Sequence, residues 1–242
     1  MRLRIATYNV HKCRGLDGKV RPDRVAKVIA ELDADVIALQ EILDVRNGAS
    51  ELDQARTIAN HREGFEWSFG ENRLLAGGSY GNMTLSRFKI EFSKNYDLTH
   101  REREQRGCLR TDLRLDEALC LHALNVHLGT GFMERRHQAR RFLHLLGNRE
   151  MRGPRLVMGD FNEWTRGLAS QKMAESFNTF EPRKMLPRAK TYPGLLPFLH
   201  LDHFYFDKHL QLQRLHLVRT REALIASDHL PLVGEFVLNS AE

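Results

Sequence analysis

Apolar residues fall in short runs along this chain, and two periods alternate between polar breaks. Residues 3–10 form a strand-length apolar run, and behind it Val25, Val28, Ile29 and Leu32 recur at i, i+3, i+4, i+7, the spacing of an amphipathic helix. Residues 36–40 are a second continuous apolar run, so residues 3–40 predict a β-α-β unit. Leu52, Ala55, Ile58 and Ala59 mark another helix, and residues 82–86 and 89–96 read as strands. The clearest strand comes next. Leu109, Thr111, Leu113 and Leu115 alternate with Arg110, Asp112 and Arg114, which puts the charges on one face. Residues 118–127 return across a turn at Asp116-Glu117, and a helix over 134–148 buries Phe142, Leu145 and Leu146. Residues 155–159, 201–206, 212–218 and 232–237 complete the strands, whereas 182–200 is irregular, with Pro182, Pro187, Pro193, Gly194 and Pro197. That stretch is too apolar for a flexible linker. The pattern predicts a single α/β domain over residues 1–242, two sheets packed together with helices outside.

Composition narrows the class. The 242 residues are ample for a core, and no apolar run approaches the ~20 residues that span a bilayer. The first residues enter a strand without a signal-like region, and Cys13, Cys108 and Cys120 are odd in number and far apart. A cytoplasmic protein without disulfides, zinc or stable membrane insertion is expected, and a monomer. The formal charge of +6 favours an anionic partner, although a merely soluble basic surface gives the same figure.

Polar residues then recur at the ends of the apolar runs. Asp160 and Asn162 lie just past a buried strand, where Gly159 lets the backbone turn and both side chains can enter one cleft. Asp160 could activate a water and Asn162 donate to a phosphoryl oxygen; taken alone, the tripeptide fits an Asx-turn equally well. Glu41 follows residues 36–40 where a metal carboxylate would sit, and Asn9 ends the first strand, able to ligate or to orient a metal-bound water. Asp228-His229 leads into the last strand. Asp202 lies among Leu201, Phe204 and Phe206, is costly to bury unpaired, and is the candidate to fix the His229 tautomer. Asn125 and His127 share a strand face at i, i+2, placing His127 to protonate a leaving oxygen or grip a phosphate.

Read in order, these clusters resemble the endonuclease/exonuclease/phosphatase superfamily. They comprise Gln40-Glu41, the run from Gly81 through Asn82 to Arg87, Asn125-x-His127-Leu128, Gly159-Asp160-Phe161-Asn162, Leu201-Asp202-His203 and Ser227-Asp228-His229-x-Pro231. The resemblance implies a four-layer sandwich of two packed mixed β-sheets flanked by helices, acting as an Mg²⁺-dependent phosphoester hydrolase, with Mn²⁺ as the alternative ion. It implies Glu41 as chief metal ligand with Asn9 and Asp228 nearby. Asp160 would act on the attacking water, Asn162 on the phosphorane, His229 with Asp202 as a His–Asp pair, and His127 as a second catalytic histidine. Asn82, Arg110 and Asn125 are then candidate substrate contacts. A narrower likeness is to small bacterial members found beside cardiolipin-synthase-type enzymes. It rests on Asn9-Val10-His11-Lys12, on Arg106-Gly107-x-Leu109, on Glu163-Trp164 after Asn162, and on Thr191-Tyr192-Pro193 leading to Leu201-Asp202.

Two substrate classes remain open. A nuclease would set Arg135, Arg136, Arg140 and Arg141 along phosphates, unless these form the solvated side of a helix. An enzyme of phospholipid or other small phosphodiesters would use the apolar segment Tyr192, Leu195, Leu196, Pro197, Phe198 and Leu199, unless that segment is a buried plug. Exposure discriminates them: a protruding segment favours lipid, a basic groove beside His127 favours nucleic acid. A catalytically inactive binding module would have lost one of these positions, and none is lost.

Overall fold

In the computed structural model, which describes residues 1–45, 53–147, 151–164, 167–179 and 190–239, the apolar runs become strands of two sheets. β1 (Arg2–Asn9), α1 (Pro22–Glu31) and β2 (Val36–Asp44) form the first crossover, and α2 (Gln54–Asn60) follows. β3 (Glu66–Leu75), β4 (Gly78–Ser86), β5 (Lys89–Asp97), β6 (Gly107–Arg114) and β7 (Cys120–His127) are antiparallel neighbours or sheet edges. A second crossover runs through α3 (Phe132–Leu146) to β8 (Arg155–Asp160). α4 (Leu168–Ser176), β9 (Asn178–Thr179), β10 (Asp202–Phe206), β11 (Leu210–Leu217), α5 (Arg221–Ala226) and β12 (Leu232–Leu238) complete the described elements.

The strand orders are β11-β12-β1-β2-β4-β3 and β5-β6-β7-β8-β10-β9. Each sheet holds one parallel pair, β1 with β2 and β7 with β8, because only those strands are joined by a helical crossover. Alternation along the strands sorts side chains into three apolar layers. Ala6, Tyr8, Ile37 and Leu39 pack against α1, α2 and α5, while Leu124, Val126 and Val157 pack against α3 and α4. Leu3, Ile5, Val36, Ala38, Leu121, Ala123, Leu156, Met158, Phe204 and Phe236 fill the space between the sheets. Each such side chain contributes about 1.5–3 kcal/mol by leaving water. Helices, sheet, sheet and helices make the expected four-layer α/β sandwich.

Several elements depart from the sequence reading. β2 does not stop at Gln40 but continues to Asp44. β3 is a solvated edge strand whose faces are too evenly exposed to show a period, and α4 and α5 are too short to show one. The connection between β6 and β7 closes over residues 115–119, with both Leu115 and Asp116 donating to the Leu119 carbonyl. Leu52, Asn148, Pro182 and Pro187 lie outside the described residues. The cysteines are free, and among the described residues no helix is long and apolar enough to cross a membrane.

Candidate active site

The inter-sheet layer changes character along its strands. Near the start of β1 it holds Leu3 and Ile5. The same face then presents Thr7 and Asn9, matched by Gln40 on β2, Asn82 on β4, Asn125 and His127 on β7, Asp160 on β8 and Asp202 on β10, all buried. Polar groups at that depth must find partners. Most of their polar atoms pair with one another or with strand carbonyls, while Asn82 Oδ1 and Asp202 Oδ1 have no hydrogen-bond partner among the described residues, and the result is a polar cluster at one edge of the sandwich.

Glu41 reaches this layer through a backbone irregularity. Val36 and Ala38 face the other sheet while Ile37 and Leu39 face the helices, so strict alternation would send Glu41 to the helices. The β2–β4 register shifts between Leu39 and Ile42, Glu41 adopts φ +61°, and Ile42 takes the helix-side position instead. The bulge thereby turns the carboxylate inward. Asn125 plugs the opening: its Nδ2 donates to the carbonyls of Leu39 at 3.0 Å and Met83 at 2.9 Å, and its Oδ1 accepts from Gln40 Nε2 at 2.8 Å.

At the centre is Asp160. Asn9 Nδ2 donates to its Oδ2 at 3.0 Å and approaches Glu41 Oε1 at 3.3 Å, while the backbone N–H of Asn162 donates to Asp160 Oδ1 at 2.8 Å. His127 Nε2 and His229 Nε2 stand 3.6 and 3.7 Å from Asp160 Oδ2. Behind His229, Asp202 Oδ2 lies 2.9 Å from Nδ1, and the Tyr192 ring packs over the imidazole at 4.9 Å. Gly159 makes the approach possible. It sits at φ +144°, and a β-carbon there would come within 1.9 Å of the Val126 carbonyl on β7.

The two histidines are driven to opposite states. Burial opposes a charge on His229, but Asp202 and Asp160 surround it and push its pKa up to about 10. His127 is held down at about 4 by burial and by the Arg106 guanidinium, whose Nη1 lies 2.9 Å from its Nδ1, against the pull of Asp160 and Glu41. At neutral pH the site therefore holds one imidazolium and one neutral imidazole. Burial also works against the charge on Glu41, yet the field of His127 in its protonated form, that of Lys12, and the hydrogen bonds from Lys12 and Asn9 hold its carboxyl below the ordinary carboxylate range. Since His127 is neutral, the cation that Glu41 faces is Lys12, with Nζ 2.6 Å from Oε2.

Lys12 belongs to a left-handed turn, in which His11, Lys12 and Cys13 have φ of 47°, 57° and 55°. Non-glycine residues there cost about 1–3 kcal/mol each, and this strain sits at the site. The turn aims Lys12 at Glu41 and brings His11 Nδ1 within 3.5 Å of Asp228 Oδ1.

The structure thus gathers Asn9, Glu41, His127, Asp160, Asn162, Asp202, Asp228 and His229, with several changes of part. Asn9 presents its nitrogen to the two carboxylates, and its oxygen accepts the His11 N–H at 3.0 Å, so it tethers Glu41 to Asp160. Asn162 spends one amide hydrogen on the Leu128 carbonyl at 2.9 Å, leaving the other for a ligand. Asn125 and Asn82 are fully buried brackets between strands and not substrate contacts; Asn82 Nδ2 donates to the carbonyls of Asn125 and Gly107. Arg110 is on the wrong face. Leu113 and Leu115 point between the sheets and Cys108 to the helices, so Arg110 points to the helix side, where it pairs with Asp112 at 2.6 Å. Arg106, Lys12 and Ser227, whose Oγ donates to the Asn9 carbonyl at 2.8 Å, went unrecognised as site residues. The motifs around Arg106 and Lys12 hinted at them, but their partners are remote in sequence.

Glu41 and Asp228 provide carboxylate oxygens, the donor chemistry of a hard divalent cation such as Mg²⁺ or Mn²⁺. Among the described residues no three His, Cys, Asp or Glu side chains converge as a cage. Mg²⁺ is commonly held by one or two carboxylates with water completing the shell, and that limited set fits.

The sequence model of the Endonuclease/Exonuclease/phosphatase family matches residues 6–229. The chain is 26% identical over 248 residues to the uncharacterized protein YbhP of Escherichia coli K12, covering 97% of this chain and 96% of that one. Its fold is similar to an endonuclease/exonuclease/phosphatase structure from Beutenbergia cavernae, with a TM-score of 0.80, 21% identity, and coverage of 99% of this chain and 72% of that chain. It is also similar to the mannosyl-6-phosphatase Bt3783 of Bacteroides thetaiotaomicron, with a TM-score of 0.79, 17% identity, and coverage of 98% of this chain and 100% of that chain.

Proposed function

The chain belongs to the endonuclease/exonuclease/phosphatase family, and from that premise we propose that it is a divalent-metal-dependent phosphoester hydrolase, acting by in-line attack of an activated water. The observation that carries the reading is the convergence on Asp160 of Asn9 at 3.0 Å, His127 at 3.6 Å and His229 at 3.7 Å, with Asp202 behind His229 at 2.9 Å. An acceptor carboxylate beside a fixed imidazolium is what hydrolysis of an anionic ester needs. Asp160 orients the attacking water and takes its proton. His229 donates from Nε2 to a phosphoryl oxygen as charge builds there, and Asp202 holds the Nδ1–H tautomer in place. The neutral His127 and the Arg106 guanidinium complete the phosphate pocket, with the second amide hydrogen of Asn162. Glu41 and Asp228 are the residues to hold the divalent ion, which when bound supplies Lewis-acid polarisation and charge neutralisation. The similar fold of the Bacteroides mannosyl-6-phosphatase supports phosphoester chemistry on this fold.

The test is hydrolysis of bis(p-nitrophenyl) phosphate with Mg²⁺. Chelation with EDTA is expected to abolish turnover, and Asp160→Asn and His229→Ala each to lower it about a thousandfold or more, with circular dichroism unchanged. Near-normal rates in both variants would overturn the assignment.

A further inference from the structure

We propose that the edge of the sandwich bearing the site docks on an anionic lipid surface, which makes a phospholipid headgroup ester the substrate class; the inference rests on the phosphoester-hydrolase reading. Single exposed apolar residues are ordinary, but a group of them around a site is not. Leu195, Leu196 and Phe198 are 62%, 77% and 59% exposed, Trp164 is 66%, and Phe132 and Met133 are 56% and 61%.

These residues leave from neighbouring strands at the same edge. Phe132 and Met133 follow His127 on β7, Trp164 follows Asp160 on β8, and Leu195 to Phe198 precede Asp202 on β10. The connecting backbones are stitched side by side: Leu128 N–H donates to the Asp160 carbonyl, and Phe161 N–H to that of Leu201. The apolar tips are also held outward. The N–H groups of Phe198 and Leu199 both donate to the Tyr192 carbonyl, and Gly194 N–H donates to that of Asp228 at 2.6 Å. The loop is therefore clamped to the segment carrying His229, with Tyr192 on the inner side against the imidazole and the leucines facing solvent. The sequence alternative of a buried plug does not describe it.

Charge selects the partner. Phe132 and Met133 line a cleft of about 1010 Å³ with His100, Arg101 and Arg103 and with Glu102 and the buried Glu134, and exposed Arg136 and Arg140 beside Met133 tip the balance to positive. Apolar side chains that enter the acyl boundary, flanked by arginines at headgroup level, fit an anionic bilayer. Single-stranded nucleic acid would use a basic groove with aromatic platforms. Phe132, Trp164 and Phe198 could stack on bases, but Leu195, Leu196 and Met133, as exposed as they are, have no π face for a base and partition readily into hydrocarbon. Arg135 and Arg141, two of the cations a nuclease groove would need, are turned onto the backbone carbonyls of Thr130 and Thr99.

The experiment uses Asp160→Asn protein, so that binding is read without turnover, and co-sedimentation with phosphatidylglycerol or phosphatidylcholine vesicles. Binding is expected to phosphatidylglycerol and to weaken with salt. Combined Leu195→Ser, Leu196→Ser and Phe198→Ser substitutions are expected to lower it about tenfold or more. In the otherwise wild-type chain the same substitutions should leave hydrolysis of bis(p-nitrophenyl) phosphate unchanged, which shows that the variant folds. No binding to phosphatidylglycerol, or undiminished binding by the triple variant, overturns the proposal. Failure of the soluble-diester assay in the wild type would instead strike the hydrolase reading, which vesicle binding does not test.

Discussion

Asn125→Asp changes one atom of a side chain with no exposed surface and no room to move. In the native chain its Nδ2 gives hydrogens to the carbonyls of Leu39 and Met83 at 3.0 and 2.9 Å. An ionised aspartate would set lone pairs against both oxygens. Two hydrogen bonds disappear and two buried acceptors lose their partners, at about 1–3 kcal/mol each, so roughly 4 kcal/mol is lost from the ~5–15 kcal/mol that holds a typical domain folded. The new carboxyl would escape part of this cost by protonating, since burial among carbonyls raises its pKa above the unfolded value of about 3.9. A raised folded pKa means that the variant keeps most of its stability below about pH 4 and loses it as pH rises through the folded pKa. The defect should therefore be larger at pH 7 than at pH 5. Urea denaturation followed by circular dichroism should show a midpoint lowered on the order of 1 M at pH 7. Activity should fall as well, because Asn125 closes the bulge that carries Glu41. An unchanged midpoint together with a raised KM would refute the argument and restore Asn125 as a substrate contact.

Two further substitutions probe the same edge. Arg106→Gln removes the guanidinium beside His127 and should let that imidazole rise from about 4 toward its ordinary value, read directly by NMR titration of the ring. The depressed pKa also predicts that the wild type loses stability as pH falls from about 6.5 toward 4, and that the variant loses less; equal losses would exclude Arg106 as a cause. Gly159→Ala should cost about 3 kcal/mol or more, because the added carbon meets the Val126 carbonyl and the backbone must hold φ +144°. A melting temperature within a degree or two of wild type would show that the approach of β7 to β8 relaxes easily.

Much of the site could be read from the chain because local pattern and chemistry coincide there. Asp160, Asp202, His127 and His229 stand at the ends of apolar runs, and a strand that ends on an ionisable residue announces it in any window of sequence. The α/β class and both crossovers were legible for a similar reason: the periods of 2 and 3.6 reflect backbone geometry that needs no partner. Edge strand β3 and the short helix α5 left no such trace, since neither buries a continuous face.

What only the tertiary structure decided is which face, which partner and which state. Arg110 and Asn125 look equally available in sequence, but sheet packing sends one to the outer face and seals the other between strands. Alternation alone would have lost Glu41 to the helices, and a one-residue bulge returns it to the site. His127 and His229 are the same residue type at strand ends. They are driven in opposite directions because Arg106 faces His127 and Asp202 backs His229, with Asp160 shared between them, contacts made across the chain. Nor does the sequence say whether Leu195 and Leu196 plug the molecule or protrude from it. Burial and electrostatic field are properties of the packed chain, set by residues far apart in sequence, and no local pattern encodes them.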